Sequence, residues 1–166
     1  IITATVINQS GVMNRVTGIL MKRKFNIESI SVGHTEQAGM SKMTFVVNVE
    51  DERKLEQLLK QLQKQIDVIK VNDITDRAIV MRELALVKVV TPPSVRNEIY
   101  SIVEPFRATV VDMSKNITTF QVIGHPEKIE AFIDLMKPYG IKELTSSGVS
   151  AFVRETQKSN AEKLSI

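Results

Sequence analysis

The chain has 166 residues, 43% hydrophobic and 25% charged, an ordinary globular balance that excludes disorder throughout. The net charge is only +3; residues 1–74 carry ten Lys/Arg against eight Asp/Glu and residues 83–150 seven against eight, so neither half has the strong positive field of a nucleic-acid binder. Cysteine is absent, which removes disulfides, thiolate nucleophiles and Cys-ligated metal centres.

Ile1 to Ile7 is β-branched and apolar and reads as a strand. Ser10 offers an N-cap, and Val12, Val16, Ile19 and Leu20 follow at helical spacing. Gly18 inside this helix costs about 1 kcal/mol against Ala and is read as a close approach of helix to sheet. Asn26 to Val32 is a second strand and Gly33 to Ser41 a polar loop. Met43, Phe45, Val47 and Val49 alternate as a third strand. Asp51 is placed to cap a helix whose Leu55, Leu58, Leu59, Leu62 and Ile66 form one apolar stripe. Val68 to Ile74 closes a βαββαβ series.

The series then repeats. Residues 75–82 read as a connector and Leu84 to Val90 as a strand. Pro92 and Pro93 set the first turn of a helix with Val95, Ile99, Ile102 and Val103 inward. Arg107 to Asp112 and Ile117 to Gly124 are strands. Pro126 opens a helix with Ile129, Phe132, Ile133 and Met136 inward, stopped by Pro138 and Gly140. Ile141 to Ala151 holds the last strand, and residues 152–166 form a polar tail. The expected class is α+β: two ferredoxin-like units in tandem, at 1–74 and 83–151, each a four-stranded antiparallel sheet with both helices on one face. The opposite sheet face carries Ile1, Ile7 and Val46, so dimerisation or docking of one unit on the other is expected to cover it.

Enzyme signatures are thin. None of the seven glycines builds a phosphate-cradling loop, and His34 and His125 stand without carboxylates at ligand spacing. Glu50, Asp51 and Glu52 favour the positive end of the helix they precede, and Lys22–Arg23–Lys24 the negative end of theirs. No catalytic residue, metal site or cofactor is assigned to this chain. The βαββαβ order also belongs to RNA-recognition domains, but those stack bases on sheet aromatics. Here the first strand has none and the third only Phe45. No apolar run approaches the roughly 18 residues of a membrane span, and no signal-peptide pattern opens the chain. A cytoplasmic location is expected, without nucleic-acid or membrane partners.

What remains is Asn8-Gln9-Ser10-Gly11-Val12, joining a strand to a helix start. Unpaired N–H groups and the positive helix end favour a carboxylate there. Gly11 leaves room, and Asn8 supplies a donor and an acceptor. On spacing alone the segment is a helix start; the same groups also suit a zwitterion such as an amino acid.

The stretches V-I-N-Q-S-G-V-M-N-R-V-T-G-I-L, R-K-F-N-I-E-S-I-S-V and S-K-M-T-F-V-V resemble the ACT domain of the small regulatory subunit family of acetolactate synthase. L-A-L-V-K-V, F-R-A-T-V-V-D and S-G-V-S-A-F resemble that family's second half. The resemblance implies a non-catalytic subunit of a transferase. It implies a large catalytic partner using thiamine diphosphate, Mg2+ and FAD, activation of that partner, and feedback inhibition by valine or another branched-chain amino acid. It further implies a homodimer through side-by-side ACT domains with the effector between them. By matching position, Asn8, Gly11 and Val12 would hold valine from one chain, and Asn26 and Ile27 from its partner. A tandem ferredoxin-like nucleic-acid-binding protein is the alternative of a different class.

Overall fold

A computed structural model describes residues 1–49 and 51–155. In the first unit β1 (Ile2–Ile7), α1 (Val12–Lys22), β2 (Ile27–His34), β3 (Met40–Val47), α2 (Glu52–Gln63) and β4 (Val68–Asp73) follow in order. The sheet order is β2-β3-β1-β4, with every neighbouring pair antiparallel. Ile2, Ala4 and Val6 alternate inward on β1 and meet Met43 and Phe45 of β3. Val12, Val16 and Leu20 of α1 and Leu58 and Leu62 of α2 cover that face. Each such side chain stabilises the fold by about 1.5–3 kcal/mol on burial. The Asp51 cap forms as expected: its Oδ1 accepts from the Arg53 N–H at 2.9 Å.

The second unit repeats the pattern with β5 (Ile79–Val90), α3 (Arg96–Val103), β6 (Thr109–Met113), β7 (Ile117–Gly124), α4 (Pro126–Met136), β8 (Ile141–Ser146) and an added β9 (Ser150–Val153). Its order is β6-β7-β5-β8, with β9 also on β5. Val87, Val89, Phe120 and Val122 form the sheet side of its core, and Ile99, Phe132 and Met136 the helix side. The rings of Phe120 and Phe132 meet edge-on at 6.2 Å. The fold is thus two ferredoxin-like units.

Several boundaries differ from the sequence reading, each for a local reason. The connector expected at 75–82 ends at Ala78, because Ile79 to Arg82 pair with Val153 to Ser150 and lengthen β5 to 12 residues. Phe152 and Val153 are therefore strand, not tail. The single strand expected over 141–151 breaks at Ser147-Gly148-Val149, where Gly148 turns the chain at φ 70°. Helix α1 is capped by Gly11 at φ 83°, not by the Ser10 side chain. Ile66 falls beyond α2 and is 88% exposed, outside the expected stripe. Pro92 and Pro93 build a turn ahead of α3, with Pro92 O accepting from Val95 N, so the helix starts at Arg96. β2 runs on to His34 and β3 begins at Met40, which shortens the loop between them. Arg107, at φ 52°, delays β6 to Thr109. A Cβ at Gly18 would meet nothing within 4 Å, so this glycine is not a close helix-to-sheet contact. Glu50 and residues 156–166 of the expected tail lie outside the described residues.

The expected docking of one unit on the other is present within the chain. Ile1, Val46 and Ile74 from the first unit share a small core with Val149, Ala151, Ile79, Met81 and Val153 from the second. Thr3 and Thr44, paired across β1 and β3, are buried at 4% and 3% exposure. One face of the first sheet thus carries α1 and α2, and part of the other carries the second unit.

Candidate functional site

The segment between β1 and α1 is held from both sides. Asn8 N donates to Gly39 O at 2.7 Å, and Ile7 N to Asp67 O at 2.8 Å. Gln9 N turns back to Ile7 O at 3.0 Å. Gly11 then adopts the left-handed conformation, which an L-residue enters at a cost of about 1–2 kcal/mol. Its carbonyl accepts from Arg15 N at 3.0 Å and starts the helix. Among the described residues the amides of Met13 and Asn14 make no main-chain hydrogen bond. They stand as the free donors of a helix start, at the positive end of the macrodipole.

Asn8 and Gly11 are exposed, while the Val12 side chain points into the first core at 6% exposure. Only the main chain of Val12 therefore belongs to the loop surface, and its N–H reaches Gln9 O at 3.3 Å. Asn26 and Ile27 lie at the other end of α1, an 11-residue helix spanning about 16 Å at about 1.5 Å per residue. Asn26 is exposed and Ile27 half-buried, and both line a surface hollow of about 610 Å3 with Asn14, Thr17, Gly18 and Met21. One chain alone thus separates the two groups of candidate residues.

The sequence reading missed Arg15 and Asp67. Asp67, 3% exposed, accepts from Gln9 Nε2 and pairs with the Arg15 guanidinium. Arg15 Nη1 lies 3.1 Å from where a Cβ on Gly11 would stand. A cation thus roofs the glycine and a buried carboxylate anchors the cation. The signal was available in the four-residue spacing from Gly11 to Arg15, which puts both on one side of the first turn. Displaced titrations lie elsewhere: the hydrogen bond from Tyr139 Oη to Glu98 Oε1, at 2.5 Å, raises the phenol, and Lys88 lowers the Glu143 carboxyl. His34 ends β2 exposed, and His125 stands 3.7 Å from Glu127. Among the described residues no three His, Asp or Glu side chains gather into a metal-holding group.

Comparison with known proteins follows this division into halves. A family model described as the AHAS small subunit-like ACT domain matches residues 2–70, and one described as the small subunit of acetolactate synthase matches residues 82–155. The acetolactate synthase small subunit of Bacillus subtilis (strain 168) is 62% identical over 158 residues, covering 95% of this chain and 92% of that relative. The probable acetolactate synthase small subunit of Archaeoglobus fulgidus is 46% identical over 157 residues, covering 95% and 98%. The crystal structure of the acetolactate synthase small subunit from Thermotoga maritima matches with a TM-score of 0.85 at 34% identity, over 94% of this chain and 97% of that one. The chain therefore belongs to the acetolactate synthase small-subunit family, a regulatory class whose first unit is an ACT domain.

Proposed function

We propose that this chain is the regulatory subunit of an acetolactate synthase, and that it activates the large catalytic subunit and imposes feedback inhibition by valine. The observation that carries the effector reading is the β1–α1 loop. Free N–H groups, an exposed Asn8 and a left-handed Gly11 gather at the start of α1 in an ACT domain. The helix-start amides take the valine carboxylate. The Asn8 side-chain oxygen takes the ammonium.

The pocket is completed by a second copy. β2 is an edge strand, and among the described residues no strand pairs with its outer side. Pairing β2 with its equivalent in a second copy extends the sheet and brings the partner's end of α1 alongside the loop. Asn26 and Ile27 of that copy then close over the effector. A site shared by two chains links effector binding to their relative geometry, and so to a docked large subunit.

No catalytic role is assigned to this chain. Thiamine diphosphate, Mg2+ and FAD belong in this reading to the large subunit, where they condense pyruvate with a second 2-oxo acid in the cytoplasm. Among the described residues no helix is long and apolar enough to cross a membrane. In the first unit the nucleic-acid alternative loses its sheet aromatic, since Phe45 is 0% exposed beneath the helices. The test is reconstitution: the large subunit should run faster with this chain than without it, and valine should reverse that gain. No stimulation and no valine response with a matched large subunit would overturn the proposal.

A further inference from the structure

β2 begins at the pocket residues just assigned to the partner's side, and among the described residues of one chain only β3 pairs with it. A second restraint comes from the other unit. Val149 N donates to Ser29 Oγ at 3.0 Å, and Ser31 Oγ donates to Val149 O at 2.7 Å. Ser29 and Ser31 are two apart on β2 and share a face. Together they grip both polar groups of one residue in the β8–β9 turn. Gly148 makes this approach possible. It sits at φ 70°, and a Cβ there would stand 2.8 Å from Ser29 Oγ and 2.9 Å from Ile30 O. The other side of the turn is tied to β5: Ser147 N donates to Leu84 O at 2.9 Å, and Leu84 N to Ser147 Oγ at 3.1 Å. Val149 and Ala151, 5% and 4% exposed, pack beside Ile74. The turn is thus a bridge from the central strand of the second unit to the edge strand of the first.

We propose that the seat of Gly148–Val149 on Ser29 and Ser31 positions the effector pocket, and that the second unit sets effector affinity through it. This rests on the effector reading above and adds the residues that regulate that site. With the seat made, β2 presents Asn26 and Ile27 already ordered. With the seat broken, binding must order the strand itself, which lowers affinity without removing any contact to the ligand. The coupling is reciprocal: a partner that shifts the second unit changes effector affinity by the factor that the effector changes the partner's.

The test is calorimetric titration of the full-length chain with valine. The variants are Ser31→Ala, the double variant Ser29→Ala/Ser31→Ala, and Ser31→Thr, which keeps the hydroxyl. Thermal unfolding follows each variant. The double variant should raise the valine Kd by about 5- to 150-fold, the usual span of a coupling between sites. Ser31→Ala should lie between it and the native chain, and Ser31→Thr close to native. A merely structural seat would lower the melting temperature and leave the Kd of the folded protein unchanged; that result, in Ser31→Ala alone if the double variant does not fold, overturns the proposal. Gly11→Asp is titrated alongside. If it binds valine as the native chain does, the effector site itself is misplaced. If it loses valine while the serine variants keep native affinity, only the seat is wrong.

Discussion

The Arg15 guanidinium lies against the buried carboxylate of Asp67, and this pair ties the first turn of α1 to the residue that leads into β4. The two ends are unequally exposed, at 42% and 4% of their side chains. Arg15→Ala leaves a buried carboxylate without its cation and should cost about 2 kcal/mol or more, toward the range for an uncompensated buried charge. Asp67→Asn leaves a cation that still reaches water and keeps a partner for Gln9, so it should cost about 1 kcal/mol. Urea unfolding of both variants checks the order. A larger loss for Asp67→Asn would show that the pair is not the anchor of this loop.

A second prediction concerns catalysis. The purified chain, supplied with pyruvate, thiamine diphosphate and Mg2+, should make no acetolactate. The sequence holds no glycine-rich phosphate loop, and the described residues no metal-holding group. Sustained turnover by a preparation shown to be free of large subunit would sink the regulatory reading.

Element order was legible because both periodicities are strong. Ile2, Ala4 and Val6 alternate, and Leu55, Leu58, Leu59 and Leu62 recur at helical spacing. What eluded the sequence was tertiary. Residues 79–82 look like a connector because it is β9 that makes them strand, and β9 lies far along the chain at Ser150–Val153. Ser10 looked like a cap, yet Gly11 enters the left-handed region and carries the turn by its backbone. In the site, Asn8 and Gly11 were readable from a strand-to-helix junction. Asp67 was not, since nothing local distinguishes a carboxylate in a turn from one buried beneath an arginine 52 positions earlier.

Valine should be read by the first unit alone. The matching junction of the second unit is closed by its own groups: Thr91 and Thr118 share a buried hydroxyl contact at 2.6 Å. Arg96 Nη2 donates to Thr91 O at 3.2 Å and to Lys115 O at 2.5 Å. Arg96→Gln should lower the melting temperature by a few degrees and leave the valine Kd within about twofold of native. A tenfold weaker Kd in the folded variant, with the Gly11→Asp chain still binding valine as the native chain does, would place the effector on the second unit.

Lys88 and Glu143 pair across β5 and β8. The hydrogen bond and charge of Lys88 hold the Glu143 carboxyl below its ordinary value, and Glu143 raises Lys88 in return. A depressed carboxylate adds stability that is present above its unfolded value and lost as pH falls through the folded one. The raised Lys88 adds stability that is present below its unfolded value and lost as pH rises through the folded one. Both groups are partly or largely exposed, so the contribution should be small and should fade with salt. Carboxyl NMR should find Glu143 titrating low in the native chain and higher in Lys88→Met. Identical titrations would mean that the pair does not persist in solution.

The β1–α1 loop as the seat of feedback is tested most directly by the valine dose–response of the reconstituted holoenzyme with native chain, Gly11→Ala and Gly11→Asp. Both substitutions share the left-handed backbone cost at φ 83° and crowd the Arg15 guanidinium, 3.1 Å from a Cβ there, and only Asp adds a carboxylate where the effector's own is proposed to lie. Like-charge contact in a partly desolvated site costs several kcal/mol, against about 4–8 kcal/mol for millimolar to micromolar binding. Asn8→Ala, losing one polar partner of a charged group, should weaken inhibition more mildly, by roughly 1.5–3 kcal/mol. The account predicts that Gly11→Asp abolishes valine inhibition, with Gly11→Ala between it and the native curve. A native inhibition curve for Gly11→Asp, in a folded chain shown to be bound to its large subunit, would contradict it.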